Sequence, residues 1–388
     1  MGDIVASIET FIVRHAPQAP YLSSAAGGLD VNERGYFVRP QNRTIYPVQH
    51  KSVIVKVTTR DGVIGWGETY GLSAPAVIAA LNTDVIGPFL RGRDPLDVQV
   101  IWEDFYDMMR VRGYHGGFYL DALAALDIAL WDICGKILRQ PLGKLLGGIR
   151  RTRIPAYISG LPQATLPERI AFAKQCVDRG YKAFKLHAAQ NLELERDLAG
   201  LREALGTDVE LMVDLHWRHT AGEAAELLHR LSKYQLSFAE APVKPEDVGG
   251  LAELARRVPM PLAVGEEWRT VFDARSRIES RAASIVQPEM GHTGITQFMR
   301  IARLAEAFHA RVMPHATIGF GIFMAASLHA SSTLLDLPMH EYQPTIFDVN
   351  LHFLETDMAC KDGAYVVPSG HGLGVEPRES LWTHVVSE

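Results

Sequence analysis

The chain of 388 residues has little cysteine: Cys134, Cys176 and Cys360, with no CxxC spacing among them. That excludes a disulfide framework or a thiolate metal site and leaves three free, buried thiols as the expectation. No apolar run reaches membrane-spanning length, and the opening "MGDIVASIETFIVRHAP" has acids where an export signal needs basic residues. Gly2 and Ser7 do not complete an acylation pattern. Positive charge is not in excess either. With 39 Lys and Arg against 45 Asp and Glu the net charge is −6, which argues against nucleic acid or an anionic membrane as partner. No phosphate-loop or dinucleotide glycine motif follows a strand, and the spaced glycines of "SGHGLGVE" lead into no helix. The expectation is a cytoplasmic globular protein, long enough for two domains.

The first third is mixed. "DIVASIETFIVRH" and "KSVIVKVTTRDGVIGWGE" read as strands, the latter turning at Asp61-Gly62 as a hairpin would. Between them "YLSSAAGGLDVNERGYFVRPQNRTIYP" reads as a long polar loop, of the kind that covers or lines binding sites. Helical patterns follow. The last, "YLDALAALDIALWDICGKILRQ", is apolar nearly all round, as a buried helix is. Pro141 and "PLGKLLGG" then mark a domain boundary near residue 145.

From about Arg153 the chain becomes rhythmic. "RIPAYIS", "KAFKLH", "VELMVD", "LSFAE", "PLAVGE", "ASIVQPE", "ARVMPH" and "PMHEY" are short apolar runs separated by amphipathic helical segments. The second to eighth end in His187, Asp214, Glu240, Glu266, Glu289, His315 and Glu341, 23 to 27 residues apart. Strand and helix alternating in one direction imply an α/β protein with a parallel sheet, expected to close as a TIM-type barrel with its site at the carboxyl ends of the strands. Drifting period and varied helices speak against a solenoid.

Closure would gather those polar ends into one ring. Asp214, Glu240 and Glu266 are neighbouring carboxylates, and like charges converging in a desolvated mouth repel unless a cation sits between them. An all-oxygen set suits Mg²⁺; acids bridged by arginine, as "EEWR" permits, is the plainer alternative. Glu289 and His315 end adjacent strands, so the carboxylate can orient the imidazole as an acid or base. Lys185 and His187 lie two apart in "YKAFKLHAAQ" and share a strand face, and His216 stands two beyond Asp214. A cation flanked by basic groups fits removal of a proton next to a carboxylate, with Mg²⁺ stabilising the enediolate.

Together "GWGET", "DLH", "FAEAP", "VGEEW", "VQPEMGHTGIT", "VMPHA" and "EYQ" resemble the enolase superfamily, in its mandelate racemase-like subgroup. The resemblance implies a modified (β/α)7β barrel over 146–344, under an α+β cap built from 1–145 and the carboxyl-terminal segment 345–388. It implies Asp214, Glu240 and Glu266 as Mg²⁺ ligands, with Glu267 pointing away. His315 becomes the histidine of a dyad, Glu341 the acid that binds the substrate carboxylate, and the assembly a homo-oligomer. Three positions depart from the subgroup: Lys185-x-His187 replaces Lys-x-Lys, Glu289 replaces an aspartate, and Gly294 stands alone where a glycine pair is usual. Asp214-x-His216 resembles the corresponding motif of galactonate and mannonate dehydratases, and an extra histidine suits loss of water, which needs an acid as well as a base. The implied reaction is therefore Mg²⁺-dependent dehydration of a sugar acid, an aldonate or aldarate, to a 2-keto-3-deoxy acid. An epimerase, racemase or cycloisomerase of a hydroxy acid or lactone is the alternative. In this reading Lys185 neutralises the substrate carboxylate or tunes His187. Tyr21, Tyr36, Arg39, Arg43, Tyr46 and His50 of the loop region are candidates to touch the small-molecule substrate, with Tyr21, Arg43 and Tyr46 preferred.

Overall fold

The structure is a computed structural model and describes residues 2–16, 30–40, 43–188, 193–316 and 319–387. Alternating side chains in the first third build an antiparallel meander: β1 (Val5–His15), β4 (His50–Thr59) and β5 (Ile64–Tyr70) pair in that order, with Gly62 in the left-handed region at φ 86° in the β4–β5 turn. The hairpin expected at Asp61-Gly62 is present. Valines 53, 55 and 57 of β4 face the helix Val98–Arg110 and the helix Gly117–Ile137 in one apolar cluster. The second helix is buried without interruption from Tyr119 to Leu130, because it lies between the β5 sheet and the helix Met290–Ala307. Glycine explains how closely it sits. A Cβ at Gly67 would come within 1.8 Å of the Ala125 carbonyl oxygen, so "GWG" is the groove in which this helix rests.

The long segment between β1 and β4 is not all loop. Tyr36–Val38 (β2) and Ile45–Pro47 (β3) pair as a small antiparallel hairpin, Phe37 opposite Tyr46. Three-residue strands are too short to show an alternation in sequence. Tyr21 lies outside the described residues.

The rhythmic region forms eight parallel strands: β6 (Arg153–Ser159), β7 (Ala183–His187), β8 (Glu210–Asp214), β9 (Leu236–Glu240), β10 (Leu262–Val264), β11 (Ile285–Val286), β12 (Arg311–Val312) and β13 (His340–Tyr342). They pair in sequence order from β6 to β12, and β13 returns to the free side of β6. Tyr157, Ala183, Met212, Phe238, Ala263, Ile285 and Met313 make one apolar layer of their own. Two residues further along each strand, on the same face, the side chains turn polar: Ser159, Lys185, Asp214, Glu240, Gln287 and His315. At β10 the corresponding residue is Gly265.

The carboxyl-terminal segment returns to both parts. Its strand Ala364–Val366 pairs with β6, and Val385–Val386 adds an edge to the meander beside β1. The buried acids of the helix Gly117–Ile137 fasten the layers. Asp127 accepts from the Thr296 amide at 2.9 Å, and Asp132 accepts from the amides of Trp66 (3.0 Å) and Leu373 (2.8 Å). Among the described residues no helix is long and apolar enough to cross a membrane.

Candidate functional site

The polar layer is deeper than its sequence position suggests. Lys185 is fully buried, and its Nζ lies 2.7 Å from Glu240 Oε2 and 2.9 Å from Glu341 Oε1. Burial alone would lower its pKa; the two carboxylates outweigh burial and raise it well above the ordinary lysine value. Lys185 is not among the residues that border the cavity above, and it holds two acids from beneath. Gln287 Nε2 donates to the same Glu240 oxygen at 2.8 Å. The other oxygen, Glu240 Oε1, is buried and has no hydrogen-bond partner among the described residues. Burial, reinforced by the charges of Asp214, Glu341 and Glu266 and opposed by Lys185, pushes the Glu240 carboxyl up to about 8.

One layer higher, β7 and β8 put His187 opposite Asp214, and β8 and β9 put Asp214 opposite Glu240. His187 uses both ring nitrogens, Nδ1 at 3.0 Å from Asp214 Oδ2 and Nε2 at 3.1 Å from Ser159 Oγ. Beyond Asp214 the chain passes through two left-handed residues, His216 (φ 48°) and Trp217 (φ 53°). This folds the His216 amide back onto Asp214 Oδ1 at 2.8 Å and leaves the His216 Nε2 3.3 Å from the Tyr46 hydroxyl. Burial would raise the Asp214 pKa; His187, His216 and Lys185 reverse it and hold the carboxylate charged far below its ordinary value.

At β10 the alternation ends at Val264. Gly265 has φ 133°, and a Cβ there would lie 2.9 Å from the Trp268 ring. The turn brings Glu266 to the cavity against His315 Nε2. Glu267 was expected to point away, yet it borders the same cavity, because neighbours no longer alternate once the strand has ended. Burial and the Glu266 charge push its carboxyl up to about 7.

Across the cavity, Glu289 caps the helix Met290–Ala307, its Oε1 accepting from the Gly291 amide at 3.1 Å. Its Oε2 accepts from the Tyr70 hydroxyl (2.9 Å) and faces His315 Nδ1 (2.8 Å). Burial would depress the His315 pKa; the charges of Glu266 and Glu341 overcome that and raise it well above the ordinary histidine value. Glu341 accepts from the Ala316 amide at 3.1 Å and lies 3.6 Å from His315 Nε2.

These groups surround a cavity of about 250 Å³, roofed by Thr44, Ile45 and Tyr46 of the β3 hairpin arm and floored by His187, Asp214, Glu266 and His315. The expected ring is assembled, with Glu240 and Lys185 beneath it. Among the described residues the tightest group of possible metal donors is Glu240, Glu266 and His315, all within 4.8 Å of one another. The oxygens of Asp214 face His187 and His216 instead. Arg43 is exposed, with φ 58°, and does not border the cavity. Tyr46 borders it; Arg39 stacks on the Tyr46 ring at 4.3 Å, and Tyr36 accepts from Lys51 at 3.2 Å. His50 packs edge-on against His15, ring centroids 5.2 Å apart. Sequence reasoning missed Ser159, Gln287, Tyr70 and His292. Ser159 and Gln287 fall on the inward period of their strands and were findable that way.

Residues 168–381 match the family described as enolase C-terminal domain-like, and residues 31–147 match the mandelate racemase/muconate lactonizing enzyme N-terminal domain. The chain belongs to the enolase superfamily. Its mandelate racemase-like relatives include D-galactonate dehydratase of Pectobacterium atrosepticum, 32% identical over 357 residues (87% of this chain, 92% of that one). They also include D-galactarolactone cycloisomerase of Agrobacterium fabrum, 31% identical over 340 residues (84% and 88%). A solved structure of an enolase superfamily member from Agrobacterium tumefaciens is 48% identical and superposes with a TM-score of 0.97, each chain covered completely. The expected family is thus confirmed, and its relatives include a sugar-acid dehydratase and a lactone cycloisomerase.

Proposed function

We propose that this chain is a Mg²⁺-dependent dehydratase of a sugar acid, an aldonate or aldarate, forming a 2-keto-3-deoxy acid. The catalytic part is a (β/α)7β barrel over 146–344, covered by 1–145 and 345–388. One observation carries the metal: Glu240 Oε1 is buried and has no hydrogen-bond partner among the described residues, in a layer where the charges of Asp214, Glu341 and Glu266 raise its pKa. An oxygen so placed is costly unless a cation reaches it. Asp214, Glu240 and Glu266 would hold Mg²⁺. When bound, the ion supplies positive charge to an enediolate formed from the substrate carboxylate.

The chain's own residues supply the rest. Lys185 offsets the charge of Glu240 and Glu341 from below, and Glu341, when carrying a proton, would donate to the substrate carboxylate. Glu289, itself held by Tyr70, orients His315 through Nδ1 so that Nε2 faces the reacting carbon and takes the α-proton. His187 stands on the opposite wall, the second candidate for that proton. His216, under the Tyr46 hydroxyl, is placed to protonate the departing 3-hydroxyl. Tyr46 closes the cavity against water.

The dehydratase relative supports this reading, and the cycloisomerase relative supports a second, in which a lactone is rearranged on the same site. Incubation of open-chain aldonates, aldarates and their lactones with the enzyme and Mg²⁺, followed by mass spectrometry and semicarbazide detection, separates them. Dehydration gives a keto acid lighter by one water from an open-chain acid. A product of unchanged mass, formed from lactones alone, assigns the cycloisomerase instead. Inertness toward the whole panel defeats both.

A further inference from the structure

We propose that His292 is a further substrate-contacting residue, whose Nε2 hydrogen-bonds a chain hydroxyl beyond the carboxylate end of the substrate. The inference rests on the sugar-acid reading and deepens it. His292 stands on the first turn of the helix Met290–Ala307, three residues after Glu289, and borders the cavity with His216 and His315. Its ring is fixed from two directions. Nδ1 lies 2.8 Å from Asp121 Oδ1, and the ring face stacks on Tyr70 with centroids 4.5 Å apart and planes 20° apart. Asp121 belongs to the helix Gly117–Ile137, is 3% exposed, and is gripped by Arg269 through Nε (2.9 Å) and Nη2 (3.0 Å).

The protonation pattern follows from these partners. A carboxylate only accepts, so the Asp121 contact places a proton on Nδ1 of His292. Nε2 has no hydrogen-bond partner among the described residues. A ring nitrogen left open at a cavity wall is matched by a hydroxyl, which can either donate or accept. Such a site selects a hydroxylated chain over a deoxygenated one, since the polar group on the protein is left unmatched in the second case.

Two hydroxamates test this without turnover. Glycolohydroxamate carries the metal-binding end and its 2-hydroxyl; threonohydroxamate adds two chain hydroxyls. Calorimetry with Mg²⁺ should show the wild-type protein preferring threonohydroxamate by roughly tenfold, the size of one net hydrogen bond. In His292→Leu the preference should disappear while glycolohydroxamate binds as before, and His292→Gln, which keeps a hydrogen-bonding side chain, should recover part of it. A wild-type protein that does not favour threonohydroxamate, or a His292→Leu variant that still does, overturns the proposal. If the preference behaves as stated but no sugar acid yields product, the reaction assignment falls and this contact stands.

Discussion

His187 and His315 face each other across one cavity, and each is paired with a carboxylate, but they differ in the partner that backs them. His187 has both ring nitrogens occupied within its own wall, by Asp214 and Ser159. His315 has Nδ1 on Glu289, which Tyr70 fixes in turn. Its Nε2 faces Glu266 and Glu341, the acids that a cation and a substrate carboxylate would engage. Both rings thus have both nitrogens engaged, each with one on an expected Mg²⁺ ligand; they differ in the other partner, a hydroxyl for His187 and a carboxylate for His315, and a carboxylate partner makes the ring the stronger base. In the proposed function this gives unlike tasks to two residues that look equivalent in sequence: His315 exchanges protons first, and His187 shapes Asp214.

The sharpest way to break that contrast is to remove each ring. His315→Asn should lower kcat/KM by about 10²- to 10⁴-fold, the usual range for a positioned acid or base. His187→Asn should cost about tenfold or less, while Glu289→Gln, which only disturbs orientation, should fall between the two, at about 10- to 100-fold. Steady-state rates on the acid found by the panel, with circular dichroism to show that each variant folds, are sufficient. A larger loss in His187→Asn than in His315→Asn would exchange the two assignments.

Below the histidines the contrast is between a charged floor and the open cavity. Lys185→Met leaves Glu240 and Glu341 buried without their counter-charge, which should cost about 3–5 kcal/mol in urea unfolding. Saturating Mg²⁺ should recover part of that loss, because a cation reaching Glu240 replaces the missing charge. If Lys185→Met is as stable as the parent without metal, Lys185 is not the counter-ion that the ion pairs indicate.

Much of this was legible in sequence because strand periodicity is strict. Every strand of the parallel region except β10, where Gly265 stands, carries its last inward side chain as a polar residue, and a period near 26 residues makes the ring visible without any relative for comparison. Periodicity gives the face of a residue but not its depth. Lys185 and His187 share a face, yet two residues are about 6.6 Å of strand, enough to bury one and leave the other at the rim. It also stops where the strand stops, which is why Glu267 was misplaced after Gly265. Tyr70, Asp121 and His292 meet only because the cap rests on the parallel region. Their separations in sequence exceed anything a local pattern can connect.

Histidines buried away from the cavity provide a control on the contrast. His329 accepts from the Gly143 amide on Nδ1 (3.3 Å) and donates from Nε2 to the Leu373 carbonyl (3.1 Å), and burial lowers its pKa to about 4. A folded-state pKa below the unfolded value of 6.5 gives a contribution that is complete above about pH 6.5 and is lost as pH falls through 4. The full contribution is about 3 kcal/mol. Urea midpoints measured from pH 7 to pH 4 should therefore fall less steeply in His329→Gln than in the parent. Parallel curves would show that this ring does not titrate with unfolding.

The smallest expected effect concerns His216, the third histidine of the cavity, which is held from the roof as well as from its own strand. The Tyr46 hydroxyl lies 3.3 Å from Nε2, while the Tyr46 ring lies under Arg39 and packs on Phe37 at 6.0 Å. Tyr46→Phe keeps both ring contacts and removes one hydrogen bond, so the hairpin should stay in place and only the orientation of His216 should loosen. One neutral hydrogen bond is about 0.5–1.5 kcal/mol, or roughly two- to tenfold in rate. If His216 protonates the leaving hydroxyl, the loss belongs in kcat with KM nearly unchanged, and exchange of the α-proton with solvent should continue at the parent rate, since His315 is untouched. Loss of exchange together with turnover would place Tyr46 and His216 in the first proton transfer, and the division of labour between the walls would then have to be redrawn around three histidines.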